Sequence, residues 1–437
     1  MIRMFGVLPA VLLMILTMSV PVIGQKLADD LQIHGFVSQG FWKTTKNNYL
    51  VDNSKEGSFE FNDMALTLLS SPSDRLIIGL QLNGRDLGTE FNNNITLDLA
   101  YGDYRWRDYL GFRIGKIKLP QALYNDIRDI DLERTAILLP QGIYYEHRRD
   151  FMFAANGLSL YGNVLTEETG DFDYQLVYGN YNVANTRSAI FREGFRMMGN
   201  GVLSNMINTQ GFLDMSRFEG SSDEVVVVRN NIAARLIWNT PFDGLRVGGV
   251  YFSLEPKLDF TLNFNMLSDN SNDPMNPVST PKAVPVSVKN RASAGVYFGE
   301  YTWDDLILVG ELRIKTRRKT VTLNEVKQDP TKVVSEEFYG QASYRINDLV
   351  SLGTYYSNVY ADRDDKEGAN QAAMGNPDYF AWQKDMAFTT RLDITDNWLV
   401  KFEYHRINGT AHVLDFFNDQ MRRENWSLFA MMSTFHF

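Results

Sequence analysis

The sequence predicts an all-β fold, a sixteen-stranded antiparallel transmembrane barrel with its third long loop folded inward. Three observations carry this expectation. The 437-residue chain opens with an export-type leader. Beyond the leader, apolar and polar residues alternate with a period of two in segments of about ten residues. The breaks between those segments are alternately very short and long, an asymmetry that a soluble sandwich has no reason to adopt.

In the leader, Arg3 precedes an apolar run from Val7 to Val22, broken only by Pro9, Thr17, Ser19 and Pro21, and small Gly24 stands before Gln25. This is the plan of a secretory signal peptide over residues 1–24, and polar Lys26, Asp29 and Asp30 follow too soon for a spanning helix of about 20 residues. Residues 25–437 carry no second run of that length. They also lack a Pro/Ser-rich linker or composition shift, so a single barrel domain is expected. The chain has no cysteine, which closes the acylated-cysteine route to a lipid anchor and leaves no disulfides, although an exported protein could form them. Removing residues 1–24 takes away one basic residue, so the mature charge is 42 − 53 = −11. An acidic surface of that size argues against a nucleic-acid partner. Mean hydropathy is slightly negative, as expected where apolar residues occupy only alternate positions.

The turns fix the strands. Short punctuation falls at 71–74 (SPSD), at Arg107 and Asp108, at 167–170, at 240–243 (TPFD), at Trp303 and Asp304, at Asn347 and Asp348, and at Asp396 and Asn397. Long connections are expected over 43–57, 86–93, 118–156, 181–224, 256–287, 316–335, 361–379 and 408–423. Between these breaks lie sixteen segments: 31–42, 58–70, 75–85, 94–106, 109–117, 157–165, 171–180, 225–239, 244–255, 288–301, 305–315, 336–346, 349–360, 381–394, 398–407 and 424–437. The number is even and both termini fall on the short-turn side, as in bacterial outer-membrane barrels.

The alternation names the lipid face. Leu306, Leu308, Gly310, Leu312 and Ile314 oppose Ile307, Val309, Glu311, Arg313 and Lys315, and Trp398, Val400, Phe402 and Tyr404 oppose Leu399, Lys401, Glu403 and His405. Ile232, Ala234, Leu236 and Trp238 are set against Arg229, Asn231 and Arg235, and Met386, Phe388, Thr390, Leu392 and Ile394 against Thr389, Arg391 and Asp393. The first, fifth and ninth strands mix both kinds on both faces, which implies a bulge, a lumen covered by a loop, or a subunit contact. Phe429, Met431, Phe435 and Phe437 share a face of the last strand, interrupted by Ser433; this is similar to the signal read by barrel-assembly machinery, or is simply a strand that ends in Phe. Trp42, Trp106, Tyr178, Trp238, Tyr301, Trp398 and Trp426 stand near strand ends and suit interfacial girdles.

The connection 119–156 mixes charges with bulky apolar residues more densely than any other. So apolar a loop needs burial. Folded into the lumen, it presents Asp126, Arg128, Asp129, Asp131, Glu133 and Arg134 near a constriction; the alternative is an outward loop packed on other loops or on a neighbouring subunit. The stretches GSFEFNDMALTL (57–68), YGDYRWRDYLGFRIGKIKLPQALYNDIRDIDLERTAILLPQGIY (101–144) and RDFMFAANGLSLYG (149–162) resemble a family of Gram-negative porin-like proteins. The resemblance covers mainly the first 180 residues and the ending. It implies a sixteen-stranded outer-membrane barrel, commonly trimeric, that uses its third loop as the constriction. It implies no particular solute.

Strict alternation points Arg85, Arg229, Arg235, Arg291, Arg313, Arg345, Arg391 and Lys401 inward, opposed by Asp63, Asp173, Glu311, Asp393 and Glu403. The excess is slightly basic and would favour anions in a narrow pore; equally, these residues could form a salt-bridge ladder that holds wall and loop with little net selectivity. A register error of one residue reverses each assignment. The acidic runs at 362–367 (DRDDKE) and 270–274 (NSNDP) lack a calcium-loop spacing and read as solvated tips. The five histidines, His34, His147, His405, His412 and His436, show no metal-ligand spacing, and no G-x-S-x-G elbow occurs. The expectation is therefore an outer-membrane homotrimer that passes small hydrophilic solutes or ions by diffusion, in contact with outer-membrane lipids and without cofactor, metal or covalent chemistry. Two alternatives stay open. A lipid-acting barrel enzyme would bring Ser and His together on the outer wall, and a structural or adhesive barrel would have a plugged lumen.

Overall fold

The structure, a computed structural model, describes residues 30–437 except 89, 150–152, 167, 183–187, 211, 271–275 and 419–420. The leader over 1–24 lies outside the described residues. Sixteen strands form one sheet: β1 (Leu31–Thr44), β2 (Asn62–Ser73), β3 (Leu76–Leu87), β4 (Glu90–Arg107), β5 (Leu110–Lys118), β6 (Ala154–Val164), β7 (Asp171–Asn182), β8 (Arg217–Asn239), β9 (Leu245–Ser268), β10 (Val278–Trp303), β11 (Leu306–Leu323), β12 (Thr331–Arg345), β13 (Val350–Tyr360), β14 (Trp382–Thr395), β15 (Trp398–Gly409) and β16 (Asn425–His436). Each pairs antiparallel with its neighbour in sequence, and β1 also pairs with β16, so the sheet closes and no edge is left to pair with another chain. Val326–Lys327 only folds back on the end of β11 as a hairpin tip. The closing seam is finished by Phe437, whose amide and carbonyl bond those of Gly35 at 3.0 and 3.1 Å. A Cβ at Gly35 would stand 2.6 Å from the Phe437 ring, so only glycine admits this approach.

Short turns and longer connections alternate along the chain as expected, except that the connection read as 86–93 is a tight hairpin, since β3 runs to Leu87 and β4 starts at Glu90, the two paired with each other. Asp304 turns the β10–β11 hairpin in the left-handed region, at φ 48°. In β15, Leu399, Lys401, Glu403, His405 and Ile407 are buried inside while Trp398 and Tyr404 are exposed outside. Trp106, Tyr178, Trp238 and Trp398 face outward as girdle aromatics should. Trp42 and Trp426 do not. They occupy the inward phase of β1 and β16 and are buried against Tyr49, Leu50, Phe61 and Leu138.

Two departures have physical causes. First, β8 to β12 run well beyond their expected ends, into the connections read as 181–224, 256–287 and 316–335; β10 alone has 26 residues, against about 9–11 needed to cross a bilayer. In this extension the pattern inverts. Phe260, Leu262, Phe264, Val284 and Val286 point inward and are buried, while Thr261, Asn263 and Ser287 point outward. Such a wall stands in water and must bury its apolar face inside. A helix, α1 (Ala189–Gln210), packs against part of it, placing Phe195 and Met206 in one apolar cluster with Phe260 and Leu262. Second, β8 carries a bulge between Arg229 and Ile232, with Asn230 at φ 51°. The extra residue shifts the phase, so Val228 and Asn231 face inward and Arg229 does not.

The hydrophobic core lies in the lumen. One cluster joins Leu119, Leu123, Leu139 and Tyr144 of the third loop to Val177, Ala233, Val250, Phe252 and Val296 of the wall; a second joins Ile137, Leu138 and Tyr145 to Trp42, Trp426, Leu428 and Met432. This explains the mixed faces of β1, β5 and β9: their inward apolar residues are covered by loop and helix.

Candidate functional site

The segment between β5 and β6 folds into the barrel. Its apolar residues pack as above, and its polar groups bond the wall around most of the circumference. Asp131 accepts from Lys401 Nζ of β15 at 2.9 Å and from Thr434 Oγ1 of β16 at 2.8 Å, and Lys401 also reaches the Asp131 carbonyl at 2.6 Å. Glu403 of β15 accepts the backbone N–H groups of Ile137 and Leu138 at 2.7 and 3.1 Å. Arg391 of β14 donates to the carbonyls of Leu132 and Arg134. On the opposite side Glu311 of β11 accepts from Leu123 N–H at 3.0 Å, from the Tyr144 hydroxyl, and from the Tyr339 hydroxyl at 2.6 Å. Arg313 donates to the Gly142 and Ile143 carbonyls and pairs with Glu337 of β12. Arg235 of β8 meets Asp126 at 2.6 Å, Gln81 of β3 donates to Asp129 at 2.5 Å, and Arg85 of β3 meets Glu146 at 2.8 Å.

Opposite charge makes these contacts hold where the groups are buried. Burial would raise the Asp131 carboxyl, but Lys401 and Arg134 beside it hold it below the usual carboxylate range. Asp129, with Lys118 at 2.8 Å, is held down in the same way, and Glu146 lies well down because Arg128, Arg85 and Arg149 surround it. Burial brings Arg128 down to about 10 despite Glu146, and burial with Arg85 nearby lowers His147 to about 4.

Of the residues singled out in the loop, Asp126, Arg128, Asp129 and Asp131 each have a partner, and Arg134 lies 3.7 Å from Asp131. Glu133 is exposed, with no side-chain partner among the described residues. Of the wall residues, Arg85, Arg235, Arg313, Arg391 and Lys401 face inward, and all are paired. Arg345 keeps the inward phase but sits at the short-turn rim, bonded to Asp348 across its own turn at 3.1 Å. Arg229 and Arg291 are corrections: Arg229 leaves the inward phase at the bulge, and Arg291 points outward, its guanidinium 3.6 Å from Glu255. The geometry matches the salt-bridge ladder, with little unpaired charge at mid-height. Glu146, Glu337, Tyr144 and Arg149 carry as much of it as the expected residues. Glu337 was readable from the alternation of β12, where it shares the inward face with Ser335 and Tyr339; Glu146 and Arg149, inside a loop, obey no period.

The lumen is consequently occupied. Buried inward side chains come from strands around the wall, among them Ser38, Gln81, Ala155, Val177, Ala233, Phe252, Val296, Glu337, Tyr355, Ala387 and Ala430. His405 is buried between Asp385 at 2.9 Å and Glu403 at 2.8 Å. None of the five histidines lies on the outer wall: His34, His405 and His436 keep the inward phase, and His147 and His412 are buried in loops. Among the described residues no Ser and His meet on the outer wall. In the acidic run 362–367, Arg363 and Lys366 both reach Glu336; of 270–274, only Asn270 is described.

No protein-family model matches the chain, and no curated protein does. Among solved structures it is similar to in-vitro folded OmpT, an outer membrane protein of Vibrio cholerae, with a TM-score of 0.51 and 10% identity over 93% of this chain and 97% of that one. It is also similar to OmpF of Salmonella typhi in complex with daunomycin, with a TM-score of 0.51 and 12% identity over the same shares. At such identities the likeness is one of fold, and by its fold the chain is a closed sixteen-stranded antiparallel barrel like those of these outer-membrane proteins.

Proposed function

We propose that this barrel is an outer-membrane channel for passive diffusion of small hydrophilic solutes or ions, with a bore far narrower than a sixteen-stranded wall would leave open. The observation that carries the reading is the inward loop 119–149, bonded to wall strands on opposite sides of the lumen. Because the lumen arginines are paired within the ladder, selectivity at mid-height is weak. A mild anion preference then comes from unpaired cations above the loop, Arg148, Arg317 and Lys319, instead of from the constriction. The expectation of a homotrimer is kept as part of this proposal, with no enzymatic step assigned.

The ring of buried inward side chains favours a second reading, a plugged barrel that does not conduct. Planar-bilayer recordings of the refolded chain, and of a variant with residues 124–148 replaced by a short Gly/Ser linker, separate the two. Small stepwise currents that grow several-fold on deletion support the narrow channel. A silent parent with a conducting deletion variant supports the plug. Equal large currents from both would sink the inward-loop account.

A further inference from the structure

Above the loop, on the long-loop side, the extended wall and α1 enclose a cavity of about 1220 Å³, larger than the ~300–1,000 Å³ of ordinary small-molecule sites. Its sides are apolar. Phe195, Met198 and Val202 of α1 face Phe260 and Val284 of the wall, with Val321 of β11 beside them. Its lower end is cationic. Arg148, half-buried near the end of the inward loop, lines it together with Lys315 and Arg317 of β11, and the same three line an adjoining pocket of about 210 Å³ beside Glu337 and His412. Lys319, one step further up the inward face of β11, continues the row.

At this lower end the charges do not balance. Glu337 is bonded to Arg313, Lys315 and Ser335, and it forms no ion pair with Arg148, Arg317 or Lys319 among the described residues. Among the described residues Arg317 and Lys319 have neither an ion pair nor a side-chain hydrogen bond, and Arg148 has only the Tyr145 ring, 5.3 Å from its guanidinium carbon. Burial, with Arg313 and Arg317 close by, holds Arg148 below the usual arginine value, so an arriving negative charge is favoured there. A bare inorganic anion would satisfy the cations and leave the apolar sides wet. A neutral apolar solute would do the reverse.

We propose that this cavity binds an amphipathic anion, a carboxylate with a long apolar body, its head on Arg148, Arg317 and Lys319 and its body between α1 and the wall of β9 to β11. The site lies above the inward loop and does not depend on conduction, so it goes beyond the channel reading and stands or falls by binding alone.

The test uses the full mature barrel in lipid nanodiscs, with empty nanodiscs subtracted, and measures binding of laurate, dodecanol, dodecyltrimethylammonium and acetate by isothermal titration calorimetry. Laurate should bind saturably, more tightly than dodecanol or the cation, and acetate should bind weakly or not at all. The double variant Arg317→Gln, Lys319→Gln breaks no described side-chain contact and should fold as the parent does. It should lose about tenfold in laurate affinity and nothing in dodecanol affinity, the size expected for one or two charge-assisted hydrogen bonds. Met198→Asp should weaken laurate and dodecanol alike. Equal laurate affinity in parent and double variant, or acetate binding as tightly as laurate, would overturn the proposal. So would laurate binding indistinguishable from empty nanodiscs.

Discussion

Replacing Lys401 with methionine removes the ammonium that fastens Asp131 to the wall. In the parent, the Asp131 side chain receives Lys401 and Thr434 at 2.9 and 2.8 Å, and Lys401 also bonds the Asp131 carbonyl. In the variant, a carboxylate only 3% exposed keeps Thr434 and a guanidinium 3.7 Å away. Breaking a buried pair from one side costs roughly 3–5 kcal/mol because a charge is left without compensation. Arg134 is in reserve, so the lower end, about 3 kcal/mol, is expected, and this raises the population of released loop about a hundredfold. The assay is limited trypsin digestion of the folded barrel, following cleavage after Arg128 and Arg134, which the docked loop protects. The double variant Lys401→Met, Asp131→Leu removes both charges and should digest nearly as slowly as the parent, since an apolar pair of similar volume substitutes well for a buried ion pair. If the single variant digests no faster than the parent, or the double variant no slower than the single, the electrostatic fastening of the loop is wrong.

Three further outcomes follow. Glu311→Ala leaves Leu123 N–H and the Tyr144 and Tyr339 hydroxyls without their acceptor, at about 1–3 kcal/mol for each buried group left unsatisfied; the loop should become digestible, with Glu311→Gln intermediate because it keeps one acceptor oxygen. Acid should loosen the same loop. His147 is lowered to about 4 and His412 to about 3, in both cases chiefly by burial. The unfolded chain therefore binds more protons than the folded one below the unfolded histidine value of about 6.5. The stability these groups contribute is full above that value and is lost as pH falls toward 4 and then 3, so cleavage of the loop by pepsin, which is active in acid, should accelerate over that range beyond the rise shown by an unfolded control, and the dependence should shrink in the His147→Gln, His412→Gln double variant. Finally, Arg229→Gln and Arg291→Gln should leave the reversal potential in a salt gradient unchanged, since neither residue faces the lumen, whereas Arg317→Gln should move it toward cations; a shift from Arg291→Gln would contradict the register of β10.

The order of strands and turns was legible because a membrane wall enforces a strict code: outward residues meet lipid, inward ones do not, and short turns carry Gly, Asn and Asp. Each of the sixteen strands overlaps the segment that alternation assigned to it, with β8 to β12 longer than read, and the inward loop was readable from its own apolarity, since Ile137, Leu138, Leu139 and Tyr144 need a buried place. The code fails where its cause is absent. Above the membrane the outer face meets water, so the inward apolar row from Phe260 to Met266 read as a loop, and α1 with it. It also fails at the β8 bulge, where one extra residue moved Arg229 out of the lumen. The partners of the loop were only half visible. Lys401 and Glu403 follow from the period of β15, but no period reports that Asp131 and the amides of Ile137 and Leu138 come to meet them. The basic row of Arg317 and Lys319 was missed because β11 was ended at residue 315, short of the extension that carries it.

The most direct test of the central claim, a lumen held by its third loop, is single-channel conductance of the parent against the variant lacking residues 124–148, in the same bilayer and salt. The account predicts a parent that conducts weakly or not at all and a several-fold larger current once the loop is gone. Equal conductance from the two would mean that the loop does not occupy the path.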